Sequence, residues 1–377
     1  RRVLFRSVKD GLAESTVKVV FEDRNGFMYF GTENGLDIYN GYEFNNYQMN
    51  SFSDSSILGN KVSAIYEDSN DMIWVGTELG VSMFNPSRRI FTRPINIDGY
   101  DLVNPETITG DAHGNIWIKL KDSRFIFKFS DRDSSTVCIN CSDNSVLNKT
   151  NVNILSKDNN GILLFGTDSG LYYFDDKTEK VALIDLKGNN DISVNVIEIG
   201  ENDDIWVGTS NGLFRLNNGI NGKVDLYREG STIVANNIKD LDWDNDRKKL
   251  WIATSNGISR YDPVEDKFFN IQTTPFAESI VENDIAEILV ASKSGRLWYT
   301  TENEPGINCL SVEFDSESKN PPPANHFEHD PIDKVSIADN NITDFIEDKA
   351  GHIWIGTRQN GISVLSYVNP KFTHHRY

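Results

Sequence analysis

The sequence predicts an all-β fold, a β-propeller of four-stranded antiparallel blades, and three observations carry that prediction. The first is residues 62–86, VSAIYEDSNDMIWVGTELGVSMFNP, which divide into three pieces of alternating apolar and polar residues at 62–66, 73–77 and 81–84. A period of two is the mark of a half-buried strand. Asp68-Ser-Asn-Asp71 and Glu78-Leu-Gly80 link the pieces with turn chemistry, since Asp and Asn accept local N–H groups and Gly tolerates positive φ. A three-stranded meander of this size cannot bury its own faces and needs neighbours. The second observation is that the neighbours are copies. Equivalent large residues fall at Tyr29, Trp74, Trp117, Leu164, Trp206, Trp251, Trp298 and Trp354, at steps of 45, 43, 47, 42, 45, 47 and 56 residues. Periods of about 40–50 residues with four strands per unit signal a propeller. The third is composition: 11% aromatic residues, 27 Gly and 4 Met suit a turn-dense β protein.

Each repeat is justified by its own residues. The chain opens with Val3-Leu-Phe5, a short strand placed to join the last blade as its outer strand and protect an edge. The first repeat starts near Val17 and adds an outer strand around 44–47; the second adds one near 90–92. The third keeps Asp111-Ala-His-Gly114 and Trp117, but Lys119-Leu120 replaces the Gly-Thr of its siblings. The fourth and fifth return to pattern, and the sixth has an expanded first turn and the extra Trp243. The seventh carries Pro305 in its second turn and is followed by Pro321-Pro-Pro323, the best linker candidate. The eighth is well formed, with Phe372 in a candidate outer strand.

Eight anchors leave two arrangements. The 56-residue step and the triple proline favour a seven-bladed ring over residues 1–325, with the repeat in 326–377 beginning a second propeller. The alternative is that the eighth repeat closes the same ring, because a lone meander would leave its faces exposed.

The repeated residues read as architecture. Asp-x-x-Gly before the second strand fixes a tight turn, the Thr hydroxyl caps a neighbouring backbone group, and Gly beside Trp leaves space for an indole of a neighbouring blade. Chemistry is sought where the repeat departs from pattern. Lys119, Lys121 and Arg124 form a cationic cluster suited to a polar or anionic glycan, or else they are solvated charges of a decayed blade. Trp243 stacks on a sugar face or covers a blade edge, and Tyr299 and Arg358 flank anchor positions as further ligand-binding candidates.

Other classes find less support. A net charge of −19 repels nucleic-acid phosphate and anionic lipid, with no Lys/Arg run to override it. No apolar run approaches the roughly 18 residues that span a membrane. Cys138 and Cys141 lack the second ligand pair a zinc site needs, and are read as loop thiols able to oxidise. His326-Phe-Glu-His329-Asp330 has metal-like composition without a helix to align ligands, and His113 and His352 sit in surface turns. No nucleophile elbow, phosphate loop or zincin motif occurs, so no catalytic residue, metal or cofactor is expected.

The pattern seen in VSAIYEDSNDMIWVGTELGVSMFN and ITDFIEDKAGHIWIGTRQNGISVLS resembles the two-component regulator propeller repeat. The opening GLAESTVKVVFEDRNGFMYFGTENGLDIYNGYEF resembles the first repeat of the periplasmic region of hybrid two-component sensors of Bacteroidetes. The resemblance covers nearly the whole chain. It implies a periplasmic ligand-sensing region without enzymatic activity of its own, working as a homodimer in an intact receptor whose kinase and membrane segments lie downstream. It also implies an oligosaccharide ligand and control of glycan-utilisation genes. The alternatives are a secreted propeller glycosidase or lyase acting on polysaccharide, and a protein-binding scaffold.

Overall fold

The computed structural model describes residues 2–93, 102–121, 123–130, 132–141, 145–230, 232–271, 285–291, 293–313, 324–333 and 335–366. Eight four-stranded antiparallel sheets follow one another around a ring. In blade 1 the strands are Val17–Glu22, Met28–Thr32, Gly35–Tyr39 and Phe44–Tyr47, and in blade 2 they are Val62–Glu67, Ile73–Thr77, Gly80–Asn85 and Ile90–Thr92. Both outer strands stand where the alternation places them. The inner strands of the remaining blades are Pro105–Gly110, Val152–Lys157, Val194–Ile199, Ile238–Asp244, Ile285–Ala291 and Ile342–Glu347. Consecutive inner strands lie against one another, so they line the axis. Helix is confined to 3-10 turns among the described residues, and none of these is long and apolar enough to cross a membrane.

The ring has eight blades, the arrangement in which the last repeat joins the others. The physical reason is hydrogen-bond supply at both sides of that repeat. Arg2–Arg6 pairs antiparallel with Ile362–Ser366 and becomes the outer strand of blade 8. On the other side the Thr343 hydroxyl donates to the Val17 carbonyl at 2.6 Å, and the Val20 N–H donates to Asp344 Oδ2 at 2.7 Å. The long seventh step contains the outer strand of blade 7, Asn325–Phe327. Pro321-Pro-Pro323 and Phe372 lie outside the described residues.

The core sits between blades. Tyr29, Leu36 and Ile38 of blade 1 pack with Val62, Ile73, Val75 and Phe84 of blade 2, while Val17, Phe30 and Tyr39 pack with Trp354 and Val364 of blade 8. The glycine of Trp-x-Gly-Thr permits this close approach, with a partner that differs from the expected indole. A Cβ on Gly31 would lie 2.7 Å from Val62, on Gly76 2.8 Å from Pro105, and on Gly208 2.6 Å from Ile238. Each glycine admits the first residue of the next inner strand. The indoles instead pack on aromatic residues in the third strand of the following blade: Trp74 on Phe129 at 5.4 Å and Trp354 on Tyr39 at 5.7 Å.

Local turns follow the residues. Asp68 Oδ1 accepts the N–H groups of Asn70 and Met72, and its Oδ2 takes the Trp74 indole N–H at 2.8 Å. Asp111 with Trp117 and Asp348 with Trp354 repeat the arrangement. Thr77 Oγ1 donates to the Gly80 carbonyl at 2.9 Å, and Thr32, Thr167, Thr209 and Thr254 cap their own turns likewise. Cys138 and Cys141 are joined by a disulfide at the end of the outer strand of blade 3.

Candidate functional site

The residues singled out by sequence separate into buried and exposed groups. Every inner strand has a bulge after its first residue, and in several blades the polar side chain there reaches the next blade: Ser63 Oγ donates to Pro105 O at 2.6 Å and Asn195 Nδ2 to Ile238 O at 2.7 Å. Blade 3 places Glu106 at that position, and a carboxylate has no proton to donate. Lys119, standing where five of the other blades have glycine, is buried and pairs with Glu106 instead. Its charge is therefore used within the blade. Lys121 is exposed, and the exposed Arg124 donates to the Asn148 carbonyl at 3.1 Å. The three cations do not make one cluster.

Trp243 is buried in the core between blades 5 and 6 with Trp206, Leu241 and Leu250, so it offers no face for a sugar to stack on. Tyr299 is fully buried with Trp251, Leu297 and Leu310, and burial pushes its hydroxyl pKa well up. Arg358 is exposed in the turn after Thr357 and donates its backbone N–H to Asn341 O at 3.0 Å.

The histidines are engaged locally. His326 Nδ1 lies 2.8 Å from Asn308 Oδ1, and His329 Nδ1 lies 2.8 Å from the Ile337 carbonyl. Asp111, His113 and Asp176 come close enough to resemble a cation site. The Asp111 carboxylate, however, already accepts from the His113 and Asn115 backbones, the Asn115 amide and the Trp117 indole. An ion there would compete with a turn that the fold requires.

Two features were not visible in the repeat pattern. The first is a set of carboxylates on inner strands of blades 5 to 8. Asp240 Oδ2 accepts the Ile288 N–H at 2.9 Å and Asp344 Oδ2 the Val20 N–H, each across a blade boundary. Glu198 accepts from the Trp243 N–H at 3.3 Å, again across a boundary. Burial pushes Asp240 and Asp344 up to about 6. Burial, with the charges of neighbouring aspartates, pushes Glu198 and Glu287 up to about 8.

The second feature is a groove repeated between blades 1 and 2, 3 and 4, and 5 and 6. Its floor is formed by Tyr29 with Ile38 in the first groove, and by Lys128 and Arg215 in the other two, where each cation lies opposite a buried anchor, Trp117 or Trp206. Its far wall is an aromatic of the next blade, Phe84, Phe174 or Tyr261 respectively. Lys128 Nζ sits 5.6 Å from the Trp117 ring centre and 4.8 Å from that of Phe174. Arg215 lies 5.1 Å over Trp206 and 5.6 Å from Tyr261, and Asp204 holds its guanidinium through Nε at 2.9 Å. The groove of blades 1 and 2 has no such cation on its floor. It leaves a cavity of about 240 Å³ reached past Phe27, which is 42% exposed.

Residues 56–78 and 336–359, in blades 2 and 8, match the family model described as two-component regulator propeller. No curated protein sequence matches the chain. Among solved structures, the extracellular domain of a putative hybrid two-component system from B. thetaiotaomicron superposes with a TM-score of 0.54 at 16% identity, over 95% of this chain and 51% of that one. The chain thus spans about half the length of that domain. Virginiamycin B lyase from Staphylococcus aureus superposes with a TM-score of 0.52 at 15% identity, over 81% of this chain and 95% of that one. At these identities the likeness is one of fold.

Proposed function

We propose that the chain is a sensing propeller of a hybrid two-component receptor, held outside the cytoplasm, that binds an oligosaccharide without altering it. The observation that carries this reading is the match of blades 2 and 8 to the two-component regulator propeller. The Cys138–Cys141 disulfide supports it, because such bonds persist in oxidising compartments such as the periplasm. The acidic surface fits a protein that meets neither nucleic acid nor anionic lipid. Exposed Lys121, Arg124 and Arg358 stay on the ligand-contact side of the proposal, while Lys119, Trp243 and Tyr299 serve the fold.

In this reading ligand binding favours one arrangement of a receptor homodimer, and the shift passes to the kinase. The effect is limited by the ligand's differential affinity for the two arrangements. Glycan-utilisation genes are the proposed output. A thermal-shift screen against plant and host oligosaccharides, with product analysis of each hit, tests the proposal. A stabilising sugar recovered intact is expected; a cleaved sugar would establish an enzyme instead.

A further inference from the structure

We propose that the cavity between blades 1 and 2 is a saccharide site that takes a pyranose ring bearing a carboxylate or similar anionic group. The inference rests on the sensing reading above and supplies it with a location and a ligand class.

Two substitutions within the repeat distinguish the lining of this cavity. Tyr29 stands where most blades have Trp, and its hydroxyl is tied to Asp23 Oδ2 at 3.1 Å. Ile38 stands where the equivalent grooves have Lys128 and Arg215, the cations that lie over the anchor ring there. Cavities of about 250 and 660 Å³ also lie beside Lys128 and Arg215, so what sets this groove apart is its lining, with Tyr29 and Ile38 in place of a tryptophan and a cation. The walls are fixed in advance: Tyr47 packs on Phe84 at 5.0 Å and on Phe91 at 5.7 Å between ring centres.

The polar groups around the opening await partners. Among the described residues, the side-chain amides of Asn25 and Asn45, the Tyr47 hydroxyl and the Arg89 guanidinium make no hydrogen bond or ion pair within the protein. Arg89 is set in place by its turn, with φ 57° and its N–H on the Asn85 carbonyl at 2.8 Å. The Arg89 guanidinium is exposed at the rim of the cavity and free to meet an anion. A sugar supplies what the set lacks. Its hydroxyls donate and accept as amides do, its ring face suits the exposed Phe27, and a uronate carboxylate matches a guanidinium. The volume admits one pyranose ring, so longer chains extend past Phe27 into solvent.

The test uses isothermal titration and crystal soaking of the whole chain with methyl glucuronide and digalacturonate, with methyl glucoside as neutral control. The expected result is one saturable uronide site, seen against Phe27 and Arg89. Arg89→Gln should weaken the uronides about tenfold or more, as loss of a charge-assisted hydrogen bond does, and leave the melting temperature unchanged. Asn45→Asp, which keeps the shape and adds a negative charge, should weaken the uronides without weakening methyl glucoside. Failure of both uronides to bind, or binding that neither substitution alters, would overturn the assignment. An oligosaccharide from the wider screen that binds both variants as tightly as the parent would overturn the cavity and leave the sensing reading standing. Absence of any saccharide binding would sink both.

Discussion

At the scale of single residues, the most consequential group is the turn aspartate, because one buried carboxylate satisfies two backbone N–H groups and an indole. Asp68→Ala should cost about 2–3 kcal/mol, since it strands buried donors, and denaturant unfolding reads that directly. Blade 5 is the natural counterpart: Gly200 occupies the aspartate position, and Trp206 Nε1 is buried without a hydrogen-bond partner among the described residues, beneath Arg215. The turn role of Asp68 was legible in the sequence, because Asp68-Ser-Asn-Asp71 is local turn chemistry, with Asp71 taking the positive φ (59°) that glycine takes in sibling turns. Its bond to Trp74 was not, because a partner six residues away across a turn depends on where the next strand points. Lys119 misled for a similar reason. Its place in a cationic cluster of an acidic chain suggested a ligand, whereas its partner Glu106 lies 13 residues earlier, on the adjacent strand.

At the scale of elements, the inner strands hold the blades together. Gly208→Val would drive a side chain into Ile238 and Val196, and a loss of about 2–3 kcal/mol is expected from such overpacking. The same strands carry a pH response. Glu198 and Glu287 are raised to about 8, and Asp240 and Asp344 to about 6, so the folded chain holds protons that the unfolded chain releases. Stability from these groups is fullest below the unfolded carboxylate range near pH ~4 and is lost as pH rises through the folded values. Calorimetry from pH 5 to 9 should show a falling melting temperature, and Glu287→Gln should flatten the upper part of that fall. The strands themselves were readable from alternation. The register that faces Asp240 toward blade 7 was not, because the bulge after Ile238 shifts the pairing.

At the scale of the molecule, the ring depends on its two ends meeting in blade 8. Removing residues 1–6 would bare the edge of Ile362–Ser366, so a melting temperature lower by roughly 5 °C or more and self-association are expected by calorimetry and light scattering. The closing role of Val3-Leu-Phe5 could be read from its place as a short apolar strand ahead of the first repeat. Blade number was harder to read, because a 56-residue step looks like a domain break. It is instead the step that contains the outer strand Asn325–Phe327. The blade 1–2 cavity left a faint signal, Tyr29 among tryptophans, but its meaning depends on Ile38 lying opposite, which only the strand pairing reveals.

The most direct measurement is equilibrium titration of the chain with a defined oligosaccharide panel, with mass spectrometry of the sugar recovered from each positive sample. The sensing account predicts saturable binding at one site per chain and a ligand returned at unchanged mass. A ligand returned in fragments, or a panel without any binder, would contradict it.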